Sequence, residues 1–330
     1  MKATITGASG LVGSNLAIEL IKNGHQVQCT KRKGSIIKHL AEFPIEWVDA
    51  DLSDQKALNQ ALLGSDVVFH CAAQISFKKH PTPEQIITNI DGTQNIINAV
   101  KEAKVPRLVH CSSVVARAIS ETGEPVTEEQ PWNFDKFGLD DGYSVTKYKS
   151  EQMVIEATKK GLDAVIVNPT YMFGPYDPKP SSGKFIIDVI KRKLPTTSNG
   201  YNNFVDVRDV CKGMILAWQK GKTGQSYILG NENMSYHDAI HLIAKVAGVE
   251  APKLQLPKAF AIIFGLLGDI QEKITKREAL VNSITVKYAY CKNYKFSSEK
   301  AIKELGYKPS PLEKAITDAI DWFGSQRMLD

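Results

Sequence analysis

The chain has 330 residues, 43% hydrophobic and 23% charged, with a formal net charge of +5. This is ordinary globular composition, long enough for a large core and two domains, and without a long basic run it offers no footing for nucleic acid. Five cysteines, Cys29, Cys71, Cys111, Cys211 and Cys291, are odd in number and widely spaced with no C-x-x-C, which argues against a disulfide framework and for a reducing cytoplasm.

The opening MKATITGASG enters a strand at once, so no signal peptide is expected. β-Rich runs follow at 2–6, 26–30, 45–50, 66–73, 107–113 and 163–169. Helical stretches are expected between them near 14–23, 35–42, 54–63, 83–103 and 143–160. Gly24 and Gly161 stand where a left-handed residue ends a helix. Strand and helix alternating in this way imply an α/β fold, a Rossmann doubly wound parallel sheet covered on both faces with right-handed crossovers. After residue 170 the alternation loosens into a Pro/Gly-rich loop, NPTYMFGPYDPKPSSG. Helices are expected near 184–193, 210–220, 236–247, 257–274, 298–305 and 311–323, with short strands at 204–207 and 226–230. The expected division is a dinucleotide-binding domain of 1–170 with 202–224, and a smaller, mostly helical C-terminal lobe of 171–201 with 225–330. The longest apolar run, 259–268, is too short to span a bilayer, so no integral membrane segment is predicted; it is expected as a core or interface helix, with membrane contact as the alternative.

TITGASGLVGSN places Gly7, Gly10 and Gly13 between the first strand and the first helix. Gly7 permits the tight turn, Gly10 lets the backbone approach a pyrophosphate, and Gly13 allows helix and strand to pack closely. The helix N-terminus then offers free N–H groups to the anion. At the end of the second strand an NAD enzyme carries an acid for the ribose 2′-hydroxyl. Here Lys31 stands in that place, with Arg32 next. A carboxylate would repel a 2′-phosphate, whereas a guanidinium grips it, so NADP is expected ahead of NAD, with Arg32 as the main contact. The alternative is a solvated basic turn. Asp51 and Leu52 close the third strand; Asp51 either binds the adenine amino group or caps a helix.

DGYSVTKYKSEQ sets Tyr143 one helical turn before Lys147. A free phenol titrates near 10, and an ammonium on the same face is expected to lower that value toward the range of effective proton transfer. Tyr/Lys pairs at this spacing are also common on helix surfaces. Ser113, or Ser112 beside it, can hold a substrate oxygen near the phenol; a turn cap is the alternative. Asn89 reads either as holder of a water relaying protons to Lys147 or as an ordinary helix polar residue. His237 and His241 have metal-ligand spacing but no third ligand, and they read as a helix surface pair with no metal. His70 reads as structural. Arg208 either meets an anionic substrate or pairs with Asp206 or Asp209. Aromatics in 131–143 and 170–176 line a pocket for a hydrophobic ketone or pack the lobes together.

These motifs resemble the extended short-chain dehydrogenase/reductase family over nearly the whole chain. TGASGLVG resembles its cofactor loop, HCAA (70–73) its fourth-strand end, NIDGTQN (89–95) its central helix, YSVTK its catalytic pair, and NPTYMFGPYD and FVDVRDV its later signatures. The dihydroflavonol-reductase-like and hopanoid-associated sugar-epimerase-like branches are the most similar. The chain departs from nucleotide-sugar epimerases at the second strand, where bases replace the acid. It departs from sugar dehydratases after Ser113, where VVA replaces an acidic pair. The resemblance favours the second serine and implies Ser113, Tyr143, Lys147 and Asn89 as catalytic residues. It implies cofactor contacts from Ser9, Leu11, Val12, Cys71, Ala72, Ala73, Ser112, Pro169 and Tyr171, besides the glycines, Lys31, Arg32, Asp51, Leu52, Tyr143 and Lys147. A homodimer through paired helices is implied as well. The expected activity is NADP-dependent reduction of a ketone, or oxidation of the alcohol, on a small, partly hydrophobic substrate. A nucleotide-sugar epimerase and a non-catalytic NADP sensor are the alternatives.

Overall fold

Hydrophobic strands that must be covered on both sides dominate the first half of the chain, and the computed structural model, which describes residues 1–275, 277–279 and 281–330, shows how they are covered. The order is β1 (Lys2–Thr6), α1 (Leu11–Lys22), β2 (Gln26–Lys31), β3 (Ile45–Asp49), α2 (Gln55–Ala61) and β4 (Val67–His70). Next, α3 (Pro83–Gln85) runs through a π-helical turn (Ile86–Asp91) into α4 (Gly92–Glu102), followed by β5 (Leu108–Cys111), α5 (Gly142–Lys159) and β6 (Ala164–Pro169). The remainder is β7 (Tyr171–Phe173), α6 (Gly183–Ile190), β8 (Tyr201–Asp206), α7 (Val207–Lys220), β9 (Ser226–Leu229), β10 (Glu232–Ser235), α8 (Tyr236–Ala247), α9 (Lys258–Thr275), α10 (Ser283–Ala289), α11 (Glu299–Leu305) and α12 (Leu312–Ser325).

Seven strands form one parallel sheet in the order β3-β2-β1-β4-β5-β6-β9. Alternate side chains enter opposite cores, as strand geometry requires. Phe69 and Val167 join Leu16, Leu20, Met214 and Leu305 on the face covered by α1, α7 and α11. Val68 and Ile166 join Leu58, Ile96, Val100 and Val154 on the face covered by α2, α4 and α5. The strand order reverses between β1 and β4, and the crevice outside the carboxyl ends of such strands is where ligands bind in this architecture.

A second sheet, β10-β8-β7, packs with α6, α8 and α12 around Phe173, Phe204, Ile240, Ile316 and Phe323. A further apolar cluster, including Val115, Phe134, Tyr288 and Phe296, lies against Phe77 and Tyr143. The lobes interleave in a way the expected division only partly captures. Helix α7 covers the large sheet beside α1, but β8 belongs to the small sheet and β9 is the large sheet's seventh strand.

Several elements differ from expectation. The helix expected at 35–42 is one 3-10 turn, Lys38–Leu40. Gly34 there adopts φ +83°, Ile36 is exposed, and Leu40 is the buried anchor, so no apolar stripe exists to hold a longer helix. Strand β7 forms in a stretch that reads as loop because it pairs with β8, a partner distant in sequence. Helix α9 does not enter the core: its large apolar side chains face outward. Gly24 and Gly161 do adopt positive φ, +77° and +91°, at helix ends.

The glycine loop is close-packed. Gly7 has φ +77°, and a Cβ on it would stand 2.5 Å from the Ala72 amide nitrogen. Gly24 has the same φ but open space around it. Gly7→Ala should therefore lose about 2–5 kcal/mol of stability, from left-handed strain plus overpacking. Gly24→Ala should lose only about 1–2 kcal/mol. Urea melts of the two variants measure the difference.

Candidate active site

The first helix begins with no side chain competing for its amides. Gly10 is its N-cap, makes no side-chain cap bond, and no acid stands in the first turn. The Gly10 amide donates to the Gly7 carbonyl (3.1 Å), closing the turn. A Cβ on Gly13 would lie 2.4 Å from the Gly7 oxygen, whereas one on Gly10 meets only that oxygen, at 3.6 Å. The loop is thus close-packed inward and open outward at Gly10, a cradle that fits a pyrophosphate on a helix N-terminus. Leu11 buries its side chain in the core below, and the Val12 carbonyl accepts from the Cys211 thiol at 3.6 Å.

Beyond the loop, Ser9, Arg32, Lys33, Ser35 and Lys179 line a small polar pocket of about 100 Å³. Lys31 is not among them; its ammonium pairs with Asp49 on the neighbouring strand. Lys179 is missed by sequence reasoning, because it arrives from the long loop after β7. Asp51 accepts the amide (2.9 Å) and hydroxyl (2.8 Å) of Ser53, and those bonds hold its carboxyl below the usual range. The residue that caps α2 is Asp54, through the Ala57 amide at 3.0 Å, so the cap reading of Asp51 is corrected. Leu52 packs against Gly92, and its carbonyl accepts from Asn95 at 2.8 Å.

At the other end of the crevice, β4, β5 and β6 deliver their last residues together. The thiols of Cys71 and Cys111 lie near Lys147, and Ala72 follows Cys71 along the glycine loop's flank, with Ala73 next in the chain. The Ser112 hydroxyl is buried with no hydrogen-bond partner among the described residues. Ser113 accepts the Val115 amide (3.4 Å) as a cap, and its hydroxyl stands beside the Tyr143 phenol. Lys147 is buried and donates to the Cys111 carbonyl at 2.8 Å.

The start of α5 is what places the phenol. Asp141 caps it, accepting the amides of Tyr143 (2.8 Å) and Ser144 (3.2 Å) and the Tyr288 hydroxyl (2.8 Å). Asn168 donates to the Ser113 carbonyl (3.0 Å) and to Glu151 (2.7 Å), whose carboxylate pairs in turn with buried Arg117. Glu151, Asn168 and Arg117 are a supporting shell that sequence reasoning missed. Their signal, an acid and a base buried at strand ends, appears only in three dimensions.

Burial governs the local charges. It pushes the Tyr143 phenol above its ordinary value, with the nearby Ser113 hydroxyl opposing. It lowers the Lys147 ammonium. The expected dominance of the ammonium over the phenol is therefore corrected: desolvation outweighs it in the free protein. Beneath them His70, held by Thr6 (2.7 Å) and Thr93 (3.2 Å), is pushed down to about 3 by burial and the Lys147 charge, a structural neutral imidazole.

Other expected residues fall elsewhere. The Asn89 side chain lies in the π-helical turn and is engaged by Gln74 N (2.7 Å), Gln74 O (3.0 Å) and Thr146 (3.0 Å). A water relay to Lys147 is left only its one remaining acceptor site. Pro169 ends β6 at the crevice. The Tyr171 ring packs on Phe173, Phe185 and Phe204 in the second lobe, which gives it a packing role in place of a ring contact with the cofactor. Arg208 pairs with Asp206 (2.6 Å) and Asp318. The rings of His237 and His241 lie tilted with centroids 4.3 Å apart, His237 bonds Thr197 at 3.0 Å, and no metal-ligand cluster exists among the described residues.

A family model described as the NAD dependent epimerase/dehydratase family matches residues 3–230. The chain belongs to that family. Its cofactor class is therefore a nicotinamide dinucleotide, which the glycine cradle fits. This family member is 35% identical over 327 residues to a putative dihydroflavonol 4-reductase of Synechocystis sp., covering 97% of this chain and 93% of the relative. It is 29% identical over 332 residues to sterol demethylase protein B of Methylococcus capsulatus, covering all of both chains. The crystal structure of gox2253 superposes with a TM-score of 0.86 at 35% identity over 99% of each chain.

Asp141 links the site to pH. Burial pushes its carboxyl up from 3.8 to about 6. A raised carboxyl favours the fold while protonated, so its contribution is full below 3.8 and lost as pH rises through about 6. Asp141→Asn cannot ionise and escapes that loss. Its stability relative to the parent should rise across this window and level off above it, as thermal melts over a pH series measure.

Proposed function

We propose that the protein is an NADP-dependent oxidoreductase that interconverts a ketone and an alcohol on a small, partly hydrophobic substrate, with Tyr143 as the acid–base group. One observation carries the reading: the Ser113 hydroxyl stands beside the Tyr143 phenol at the sheet's carboxyl edge, with the Lys147 amine one turn behind. Two hydroxyls so placed can receive one carbonyl oxygen between them.

Bound nicotinamide supplies the hydride; the protein supplies geometry and protons. Ser113 positions the substrate oxygen. Tyr143, held protonated by burial, donates to that oxygen as it gains charge. Lys147 is fixed by the Cys111 carbonyl where its charge favours the phenolate left behind. The unpartnered Ser112 hydroxyl, Cys71, Ala72, Ala73 and Pro169 line the nicotinamide end. Gly7, Gly10, Gly13 and the amides at Leu11 and Val12 hold the pyrophosphate. Asp51 keeps one carboxylate oxygen for the adenine amino group.

NADP is favoured by the pocket at the end of β2. Arg32, Lys33 and Lys179 converge there with Ser9 and Ser35, and no carboxylate is among its lining residues. An epimerase that retains NAD needs an acid at this point, and Lys31–Arg32 is opposite in sign.

Arg32→Ala should raise the KM for NADPH by about 10–100-fold, the loss of a charge-assisted phosphate bond, and leave NADH unchanged. Equal effects on both cofactors would contradict the 2′-phosphate role. Tyr143→Phe should lower kcat by about 100-fold or more with NADPH binding retained. Because the phenol must be protonated and its pKa is raised, ketone reduction by the parent should stay level from about pH 6 to about pH 9. Steady-state kinetics over that range measure the profile, and a fall beginning near neutrality would count against Tyr143.

A further inference from the structure

Helix α9 carries more exposed apolar surface than a monomer keeps without a use. Phe260, Ile263, Phe264, Leu267, Ile270 and Ile274 form one stripe at helical spacing, and each is more than half exposed. The opposite face is made of small residues. Ala261, Gly265 and Gly268 are buried, and a Cβ on Gly268 would stand 1.8 Å from the Val281 carbonyl oxygen. The helix therefore lies flat against the start of α10, with its stripe turned outward.

Charge is sorted across the same segment. Its carboxylates face inward: Asp269 accepts from Ser283 (2.6 and 3.0 Å), Glu272 from Ala279 and Asn282 (2.9 Å each), and Glu278 from Ser76 (2.6 Å) and Phe77 (2.7 Å). Lys253, Lys258, Lys273 and Arg277 are exposed at its rim. An apolar face with a basic rim suits an anionic lipid surface. It does not suit a second copy of itself, because a two-fold contact would set like charges against each other. Among the described residues no helix is long and apolar enough to cross a membrane, so the geometry is that of a helix lying on one.

The segment is also tied to the candidate active site. Glu278 and Asn282 hold the Ser76–Phe77 loop, the latter through the Phe77 carbonyl at 3.1 Å. The Phe77 ring stands edge-on to Tyr143, centroids 6.1 Å apart. We propose that α9 docks the protein on an anionic bilayer surface, and that the reductase site beside it takes a lipophilic ketone dissolved in that bilayer. The second half rests on the function proposed above; the first does not.

Flotation of the full chain with vesicles of phosphatidylglycerol and phosphatidylcholine in equal parts tests the docking without any substrate. The protein should float with these vesicles and bind phosphatidylcholine alone about tenfold more weakly. Phe264→Glu with Leu267→Glu should lose binding by about tenfold or more. Lys258→Glu with Lys273→Glu alters exposed charges only; it should melt with the parent and lose about tenfold on the anionic vesicles. A parent that stays in solution with both vesicle types overturns the proposal. So does a parent that sediments as a dimer which the Phe264/Leu267 variant splits, since the face is then a contact between copies. Failure here leaves the reductase reading standing. A protein that floats and reduces a water-soluble ketone, yet gains nothing on a vesicle-dissolved one, overturns the delivery half alone.

Discussion

The Ser113 hydroxyl, at the end of a strand, is held beside the Tyr143 phenol, at the start of a helix, and the chemistry proposed for this protein depends on that junction. Each side is held from behind. Asp141 fixes the first turn of α5 through two amides and a tyrosine hydroxyl. Asn168 fixes the Ser113 carbonyl, and the buried Arg117–Glu151 pair fixes Asn168. Breaking one partner of such a pair costs about 3–5 kcal/mol, so the supporting shell resists drift far more than the single hydroxyl contact could alone. Burial then sets the protonation state. The phenol stays neutral in the free protein, which is the form a reducing site needs, and the Lys147 charge matters for what remains once the proton has gone.

Much of the large domain was legible in the sequence because its information is local. Strands buried on both faces read as continuous apolar runs. The glycine loop declares itself because Gly7 needs a positive φ and Gly13 a missing side chain. The Tyr143–Lys147 spacing follows from one helical turn. What stayed hidden depends on partners distant in the chain. Strand β7 exists only through β8, and Lys179 reaches the Arg32 pocket from a loop with no pattern of its own. The 35–42 segment has helix-forming residues but no apolar stripe to anchor them. Tyr171 follows the strand that ends at the crevice, yet its ring finds better packing in the aromatic cluster of the second lobe.

The second lobe has two parts of different character. Its core of Phe173, Phe204 and Phe323 is closed and self-contained. The segment from α9 to α10 is different: its polar groups reach inward to the Phe77 loop while its apolar groups reach outward. The same stretch thus touches both the environment and the ring that borders the phenol. This gives physical content to the apolar run at 259–268, which reads in sequence as a core or interface helix ahead of one in contact with a membrane.

Hydride fate discriminates a reductase from an epimerase built on the same fold. In single turnovers of the full chain with 4-deuterated NADPH and a reducible ketone, mass spectrometry should find deuterium on the new carbinol carbon and one NADP+ formed for each alcohol. No deuterium in an alcohol and no NADP+ formed, while an alcohol given to the NADP+ form comes back inverted with no net NADPH, would contradict the assignment of the protein as a reductase.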